Sequence, residues 1–419
     1  MLTLTPRDHD SLEGKAGAAA QLAMRIIVRM AEIQGATELL DIEGAHIDST
    51  LYMGDATLEF AERLANLGGR VVVPTTLNVT GVDEHGWQAW ATPPNHAMKA
   101  RRQMMAYQQM GGIPTWTCTP YQTAHRPTFG QQIAWGESNA IVFANSVIGA
   151  RTERYPDLMD ICAALTGRVP AMGLHLTENR AGQLLLRLQG IPLALQQEET
   201  FYPVLGALMG RLAGEQIPVV EGLEVIPTEE QLKALGAASA SAGAVALFHL
   251  VGVTPEAPTT EVAFQGRAPT QIIEITPPML REMWRDFTTA TNEALDMVVL
   301  GSPHFSLTQF QQLAPLLVGK HRHPDVQFLV TSSRAMAALA QKMGVLQPLL
   351  DFGGTVTVDT CILTTPMLPA SVQTLMTNSA KYAYYAPGLL NTRVTFGALA
   401  DCVDSAVVGR VVRNENIWG

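Results

Sequence analysis

The stretch that decides the fold runs "DMVVLG" (296–301), "LTQFQQLAPLLVG" (307–319), "VQFLVTSS" (326–333), "RAMAALAQKMGVLQPLLDFGG" (334–354) and "TVTVDTCIL" (355–363). Its short apolar pieces are typical of buried strands, and its longer pieces have the spacing of amphipathic helices. Such alternation predicts parallel sheets with right-handed crossover connections. The sequence therefore predicts an α/β fold of mostly parallel sheets with helices on both faces.

The same alternation extends through the rest of the chain. Helices are predicted at 16–36, 56–69, 96–112, 137–150, 155–167 and 180–190, and a strand that leads into a loop is predicted in each of the segments 38–48 and 70–81. A polar, proline-rich piece, "GVTPEAPTTEVAFQGRAPTQ" (252–271), is the best candidate for a connection between two parts. We therefore expect an N-terminal α/β part at 1–255 and a C-terminal α/β part at 256–419.

The length and charge of the chain limit the kinds of protein that it can be. Its 419 residues exceed the roughly 250 to 300 at which a single core stops growing, so several lobes and a cleft are expected. Only 16% of the residues are charged, which is too few for a disordered chain. The net charge of −10, without any Lys- or Arg-rich run, argues against a nucleic-acid partner. The N-terminus lacks the apolar segment of a secretory signal, so a cytoplasmic protein is expected.

Polar residues follow several of the apolar strands. The loops in question are "AHIDST" (45–50), "PTTLNVTG" (74–81), "GSPHFS" (301–306), "TSSR" (331–334) and "DTCILTTP" (359–366). In open α/β sheets, ligands bind at the edge formed by the carboxyl ends of the strands. We therefore expect a cleft at this edge, with the polar loops around it.

Three of the four cysteines are predicted on loops. Cys118 lies in "GGIPTWTCTPYQTAHRPTFG" (111–130), which has no helical or strand periodicity. Cys361 and Cys402 each follow an apolar strand, whereas Cys162 lies on the apolar face of a predicted helix. Thiolates select zinc or iron–sulfur clusters, so the three loop cysteines are candidate metal ligands. Scattered cysteines are also often core residues, and spacing alone leaves both interpretations open.

Polar side chains in and around these loops are candidates for catalysis and substrate binding. His46, Asp48 and Lys381 are the catalytic candidates, because imidazole, carboxyl and amine groups transfer protons in enzymes. Each also has an ordinary interpretation, as a hydrogen-bonding group or a solvated charge. The substrate-binding candidates are Ser49, Thr75, Thr76, Asn78, Glu137, Ser138, Asn139, Ser302, His304, Arg334 and Ser379. Some of these hydroxyl and amide groups can equally be helix caps.

Four long motifs resemble the large, catalytic part of the aconitase X family. They are "GAHIDSTLYMGDATLEFAERLANLGGRVVVPTTLNV" (44–79), "GGIPTWTCTPYQ" (111–122), "WGESNAIVFANSVIGARTERYPDLMDICAALTGRVP" (135–170) and "TNSAKYAYYAPG" (377–388). The resemblance covers essentially the whole chain. It implies a multi-lobed, aconitase-like α/β architecture and an enzyme that dehydrates a small hydroxy acid.

The resemblance also implies a cofactor and a partner. In the family an iron–sulfur cluster is held by three cysteines, which correspond here to Cys118, Cys361 and Cys402. Ser302 stands where some relatives have a further cysteine, so a fourth ligand is not expected there. An iron atom with an open coordination position acts as a Lewis acid on a departing hydroxyl. The small β-rich swivel domain of the family has no counterpart in this chain, so we expect the large subunit of a heterodimer with a small swivel-domain subunit.

Two substrates are associated with the resemblance. The first is cis-3-hydroxy-L-proline, which a dehydratase converts to Δ1-pyrroline-2-carboxylate, and the second is phosphomevalonate. The loops "AHIDST" (45–50), "PTTLNVTG" (74–81), "TCTPYQ" (117–122), "GESNA" (136–140) and "GSPHFS" (301–306) contain the acidic residues Asp48 and Glu137 but neither Lys nor Arg, and basic residues such as Arg334 and Lys381 are confined to flanking positions. A phosphate needs basic side chains or helix N-termini, so the loops favour the amino acid. A non-enzymatic α/β protein that binds a small molecule is the remaining alternative.

Overall fold

A computed structural model describes residues 2–418 and consists of mostly parallel sheets covered by helices. The N-terminal, middle and C-terminal parts of the chain contain parallel sheets of three, four and five strands, and one antiparallel pair of strands lies in the N-terminal part. The predicted α/β class is confirmed. Within residues 2–418, no helix is both long enough and apolar enough to span a membrane.

The N-terminal part is built around the three-stranded sheet. Its strands are β1 (Leu39–Asp41), β2 (Ala45–Ile47), β3 (Thr75–Leu77), β4 (Ala134–Trp135) and β5 (Arg168–Pro170), and its helices are α1 (Pro6–Leu12), α2 (Ala18–Ile33), α3 (Asp55–Asn66), α4 (Pro94–Gln109), α5 (Ser138–Phe143) and α6 (Met159–Thr166). Strand β2 lies between β3 and β4, and β1 pairs with β5. The predicted strand at 70–81 is reduced to β3, because Pro74 has no N–H to donate to a neighbouring strand.

The middle part contains the four-stranded sheet, in the order β8-β7-β6-β9. Its strands are β6 (Leu184–Leu188), β7 (Pro218–Glu221), β8 (His249–Leu250) and β9 (Gln271–Ile275), and its helices are α7 (Leu193–Gln196), α8 (Phe201–Ala213), α9 (Glu229–Ala242), α10 (Thr260–Ala263) and α11 (Pro277–Asp286). Helices α8 and α9 approach closely, because a Cβ atom at Gly206 would lie only 2.2 Å from the carbonyl oxygen of Leu235. A glycine is therefore required at this crossing.

Two expectations about the middle part differ from the structure. The predicted helix at 180–190 is wrong, because this segment contains β6, a strand between β7 and β9. A short apolar run such as "LLL" has no periodicity that separates a buried strand from a buried helix. The predicted boundary at residue 255 falls between β8 and β9, so this sheet draws strands from both predicted parts.

The C-terminal part contains the five-stranded sheet, in the order β12-β11-β10-β13-β14. Its strands are β10 (Met297–Phe305), β11 (Gln327–Ser332), β12 (Thr355–Val358), β13 (Thr374–Thr377) and β14 (Arg393–Phe396), and its helices are α12 (Leu307–Leu317), α13 (Arg334–Lys342), α14 (Gln347–Phe352), α15 (Ala380–Leu390) and α16 (Leu399–Val408). Every residue of the central strand β10 is buried, as its continuous apolar start predicts. The predicted alternation over 296–363 is confirmed.

Hydrogen bonds join the N-terminal part to the loop that follows β12. The Thr80 N–H donates to the Asp359 carbonyl oxygen at 2.7 Å, and the Thr360 hydroxyl donates to the Thr80 carbonyl oxygen at 2.8 Å. The Asp83 carboxylate accepts a hydrogen bond from the Thr357 hydroxyl at 3.0 Å. These contacts hold the carboxyl edge of the C-terminal sheet against the N-terminal part of the chain.

Candidate active site

His46, in the middle of β2, has one ring nitrogen free. Its Nδ1 lies 2.7 Å from the Thr76 hydroxyl, which lies 3.5 Å from the carbonyl oxygen of Ala45. The Thr76 hydroxyl therefore occupies Nδ1, and the tautomer of the ring decides which of the two groups donates. His46 Nε2 is buried without a hydrogen-bond partner, and burial lowers the His46 pKa to about 4. His46 is therefore a neutral imidazole whose Nε2 has no hydrogen-bond partner.

The Asn78 amide lies between the carboxyl groups of Asp48 and Glu137. Asn78 Nδ2–H donates to Asp48 Oδ1, and it lies 3.3 Å from Glu137 Oε2. Burial raises the Asp48 pKa well above its ordinary value, and the negative charges of Glu137 and Asp160 raise it further. Asp48 therefore holds its proton to a higher pH than an exposed aspartate does.

A buried ion pair joins the N-terminal and C-terminal parts of the chain. Lys381 Nζ, in the first turn of α15, lies 2.7 Å from Glu137 Oε1, at the start of α5. The same oxygen accepts hydrogen bonds from Asn139 Nδ2–H at 2.8 Å and Asn139 N–H at 3.2 Å. Burial alone would raise the Glu137 pKa, but Lys381 and Asn139 outweigh it and lower the pKa to about 2. Glu137 is therefore ionised, and the Lys381 pKa is raised, mainly by this carboxylate against the opposing effect of burial.

Two of the predicted loop cysteines lie next to this ion pair. The His304 N–H donates to Cys118 Sγ at 3.2 Å, and the Cys361 thiol lies 3.7 Å from the Tyr382 hydroxyl. Burial raises the pKa of both thiols, that of Cys118 to about 12, while the positive charge of Lys381 opposes the rise at both. The charge of one ammonium group therefore acts on both thiols, although 243 residues separate them in the sequence.

The predicted loop position of Cys402 is wrong. Cys402 lies in α16 and is fully buried in an apolar cluster with Met376, Val403 and Ala406. Burial raises the Cys402 pKa, and the charges of Glu199 and Asp401 raise it further. These two carboxylates are not the groups that affect the pKa of Cys118 and Cys361. The structure therefore does not bring Cys402 to Cys118 and Cys361. The predicted helical position of Cys162 is confirmed, because it is fully buried within α6.

Most of the other predicted site residues lie in the same region. Those that contact the Glu137–Lys381 pair or its immediate neighbours are His46, Asp48, Thr76, Asn78, Ser138, Asn139 and His304. His304 is fixed from two sides, with Nδ1 3.2 Å from the Thr117 hydroxyl and Nε2 3.0 Å from the Thr360 carbonyl oxygen. The carboxyl edges of β2, β3 and β10 therefore supply one polar region, as the loop pattern predicts.

Arg334 lies outside this region. Its guanidinium group donates to Asp359 Oδ1 at 2.6 Å and also pairs with Glu84, at the contact between the N-terminal part and β12. Both carboxylates raise the Arg334 pKa against the effect of burial. Because two carboxylates already satisfy this guanidinium group, the structure gives Arg334 a role in joining the two parts rather than in contacting a substrate.

The hydroxyl groups of two further candidates, Thr75 and Ser49, are directed away from the site. Ser49 contacts Asp160, a residue that the sequence did not indicate. The Thr75 hydroxyl donates to the Val73 carbonyl oxygen at 2.8 Å, and the Ser49 hydroxyl donates to Asp160 Oδ1 at 2.5 Å. Asp160 lies in the first turn of α6 and is buried. Acidic residues are common in the first turn of a helix, so the sequence carried no signal that marked Asp160 as special.

A cavity of about 180 Å³ borders the site between the middle and C-terminal parts. Its polar lining includes Glu199, Glu230, Lys233, Ser302, Ser379 and Lys381. The Ser379 hydroxyl donates to the carbonyl oxygen of Ser302, so both predicted serines line the cavity. Lys233 is 3% exposed, and its ammonium group lies 2.5 Å from Glu230. Lys381 belongs to both the cavity wall and the ion pair, which connects the cavity with the site.

The sequence matches one family in three consecutive segments. Residues 1–178 match the family described as Aconitase X first domain, residues 182–285 match the Aconitase X second domain, and residues 295–408 match the Aconitase X third domain. The chain belongs to the aconitase X family. The strands of the four-stranded and five-stranded sheets fall within the second and third aconitase X matches, respectively.

Two kinds of aconitase X relative are similar to this chain. The cis-3-hydroxy-L-proline dehydratase of Pseudomonas aeruginosa is 47% identical over 98% of this chain and 71% of its own length. The enzyme of that name from Hypocrea jecorina is 45% identical over 97% of this chain and 69% of its own length. The phosphomevalonate dehydratase large subunit of Methanocaldococcus jannaschii is 34% identical over 95% of this chain and 98% of its own length.

The architecture is also that of a solved aconitase X structure. The crystal structure of Thermococcus kodakaraensis aconitase X in its holo-form matches this fold with a TM-score of 0.87 and 31% sequence identity. The match covers 97% of this chain and 100% of that chain. The multi-lobed, aconitase-like architecture that the motifs imply is therefore confirmed.

The donor atoms of this aconitase X chain fit part of the expected metal site. Burial raises the pKa of Cys118 and Cys361, the Lys381 ammonium group opposes the rise at both, and thiolates are the form of cysteine that binds metal. Asn78 Oδ1 and His46 Nε2 nearby are buried without hydrogen-bond partners. Across residues 2–418, no group of three His, Cys, Asp or Glu side chains is arranged to hold a metal ion. Two of the three expected cysteines therefore fit a thiolate-bound metal, and Cys402 does not.

Proposed function

We propose that this chain is the large subunit of a dehydratase that converts cis-3-hydroxy-L-proline to Δ1-pyrroline-2-carboxylate. The observation that carries the proposal is the identity of 47% and 45% to two dehydratases of that substrate over nearly the whole chain. The large subunits of phosphomevalonate dehydratases share only 30 to 35% identity with the chain. Phosphomevalonate is therefore the second candidate substrate.

The buried ion pair supports an amino-acid substrate. Lys381 presents a positive charge and Glu137 a negative charge at the same place. Hydroxyproline is a zwitterion, so its carboxylate matches the lysine and its ring ammonium matches the glutamate. A phosphate with a charge near −2 would face repulsion from Glu137 unless further basic groups were present. The two side chains thus bind and orient the ring.

The reaction needs one group that accepts a proton and one that donates a proton. The C2–H bond and the C3–O bond of the substrate break, a C2=C3 double bond forms, and water leaves before the product tautomerises to the cyclic imine. The free His46 Nε2 accepts the C2 proton, and the protonated Asp48 carboxyl donates a proton to the departing hydroxyl. Lys381 remains protonated, so it acts through its charge and not as the base.

An iron–sulfur group is part of the proposal. Cys118 and Cys361 are the residues of this chain that would hold it, and when bound it supplies a Lewis acid for the departing hydroxyl. Cys402 is not included, because its thiol packs in the core of the C-terminal sheet. Ser302 lines the neighbouring cavity, and no fourth ligand is expected there.

A small swivel-domain subunit and a cytoplasmic location complete the proposal. Relatives named as large subunits match this chain over as much as 98% of their length, and such a name implies a smaller partner. The hydroxyproline dehydratases extend well beyond the matched region, since the chain covers 71% and 69% of them. All four cysteines are free, which suits a reducing compartment.

A competition assay tests the proposed substrate. The chain, purified anaerobically together with a small subunit, is expected to dehydrate cis-3-hydroxy-L-proline with a kcat/KM at least about 10-fold above that for phosphomevalonate, a difference of about 1.4 kcal/mol in transition-state binding. Product imine is measured directly. The matched control is trans-4-hydroxy-L-proline, whose hydroxyl is not on the carbon next to C2 and is not eliminated. Faster dehydration of phosphomevalonate would reverse the assignment.

An Asp48→Asn variant tests the proposed proton donor. Loss of the donor is expected to lower kcat by about 10² to 10⁴. Because the Asp48 pKa is raised in the folded state, the folded wild-type protein keeps this proton to a higher pH than the unfolded chain does. The free energy of unfolding of the wild type therefore falls as pH rises above about 3.8. The variant lacks this penalty, so its stability relative to wild type increases with pH. Urea unfolding at pH 4 and pH 8 measures the difference, and an active variant would exclude the role.

A further inference from the structure

The Asp160 carboxylate holds the turn that carries Asp48. Asp160 Oδ2 accepts hydrogen bonds from the Asp48 N–H at 2.6 Å and the Ser49 N–H at 3.1 Å. Asp160 Oδ1 accepts from the Ser49 hydroxyl at 2.5 Å and the Ile161 N–H at 2.6 Å. All four partners are donors, which is the arrangement that an ionised carboxylate requires, and these hydrogen bonds oppose the rise in the Asp160 pKa that burial causes.

The surrounding backbone leaves this turn little freedom. The Leu158 N–H donates to the Ser49 hydroxyl at 2.9 Å, which ties the turn to the start of α6 a second time. A Cβ atom at Gly136 would lie 2.6 Å from the Asp48 Cβ and 2.8 Å from Asp160 Oδ2. Gly136, the residue after β4, therefore packs directly against the contact between Asp48 and Asp160. The direction of the Asp48 side chain follows from the position of this turn.

We propose that Asp160 is a positioning residue for the dehydration reaction, which fixes the Asp48–Ser49 turn so that the Asp48 carboxyl group faces Asn78 and Glu137. The inference rests on the proposed function only for the role of Asp48. Asp160 contacts the two backbone N–H groups and the Ser49 hydroxyl, and it acts on the reaction through Asp48.

The charge of Asp160 has a second effect on Asp48. The charged groups that face Asp48 are Glu137 at the start of α5, Asp160 in α6 and Lys381 in α15, and His46 on β2 is neutral. Burial is the largest cause of the raised Asp48 pKa, and the two neighbouring carboxylates add to it while Lys381 opposes it. Removing the Asp160 charge therefore lowers the pH at which Asp48 loses its proton.

An Asp160→Asn variant of the complete enzyme tests the inference. An amide keeps the size but places N–H donors against the N–H groups of the turn, so kcat is expected to fall about 10- to 100-fold, as displaced catalytic groups do. The alkaline limb of the kcat/KM profile is expected to move to lower pH, because deprotonated Asp48 cannot donate. The matched control is Asp157→Asn, an exposed aspartate three residues away, which is expected to leave both quantities unchanged.

Ser49→Ala gives an independent measurement if Asp160→Asn folds poorly. This variant removes one donor to Asp160 but keeps its charge, so a smaller loss of kcat without a shift of the alkaline limb is expected. Hydrogen exchange at the Asp48 and Ser49 amides is a readout that needs no turnover, and it is expected to accelerate in Asp160→Asn alone. Unchanged exchange and an unmoved alkaline limb in Asp160→Asn would overturn the inference. Accelerated exchange in Asp160→Asn, found together with a wild-type enzyme that dehydrates no hydroxyproline, would refute only the proposed function.

Discussion

Cys118→Ser and Cys361→Ser variants are expected to lose bound iron and at least about 100-fold in activity, more than the 10- to 100-fold that outer-shell changes usually cost. The charge of Lys381 acts on both thiols. Serine keeps the size of cysteine but is a poor ligand for iron. Iron per chain and visible absorbance are measured after anaerobic purification together with the small subunit.

Cys402→Ala and Cys162→Ala are the matched controls for this experiment. Both thiols are fully buried in helices, so each alanine variant is expected to retain iron and to lose on the order of 1 to 2 kcal/mol of stability through packing. If Cys402→Ala lost as much iron as Cys118→Ser, the assignment of Cys402 to the core would be incorrect. If none of the four variants lost iron, the thiols would not be the ligands.

A Lys381→Met variant is expected to be inactive and to lose about 3 kcal/mol of unfolding free energy, as buried ion pairs do when one partner is removed. The two side chains are only 14% and 11% exposed, so the Glu137 anion is left largely without water or a counter-charge. The Glu137 pKa, about 2 in the wild type, is expected to rise. Urea unfolding at neutral pH measures the loss.

The stability that the Glu137–Lys381 pair contributes depends on pH. A depressed carboxyl pKa contributes stability above the ordinary value of 4.5, and that stability is lost as pH falls towards 2. In Lys381→Met this dependence is expected to weaken, and adding Glu137→Gln is expected to restore part of the stability but none of the activity. The control is Lys99→Met, which breaks an exposed pair with Asp55 and is expected to cost less than about 1 kcal/mol. Equal losses in the two lysine variants would contradict the buried-pair argument.

The fold was predictable wherever hydrophobic periodicity was long. The segment 296–363 alternates strands of a buried parallel sheet with helices of several turns, and both patterns are unambiguous at that length. The segment 180–190 was not predictable, because the five-residue strand β6 carries no pattern that distinguishes it from a helix. Cys402 was misplaced for a similar reason. It follows β14 closely, and the helix α16 begins only three residues before it.

The candidate site was predictable as far as it consists of residues at strand ends. His46 lies within β2, Asp48 and Asn78 directly follow β2 and β3, and the carboxyl ends of such parallel strands meet at one edge. The pairing of Glu137 with Lys381 was not predictable, because 244 residues separate the partners. Asp160 was not predictable either, since its function depends on two backbone N–H groups that become its neighbours only after folding.

The positions of the two thiols constrain when the enzyme can be assembled in a cell. Cys118 leaves the ribosome about 240 residues before Cys361, and at about 5 to 20 residues per second this is an interval of about 12 to 50 s. During that time the N-terminal part can fold, but Cys118 lacks the second thiol, the Lys381 ammonium group and the His304 N–H. On the proposed cluster assignment, a metal held by both cysteines would therefore be inserted only after Cys361 has been translated.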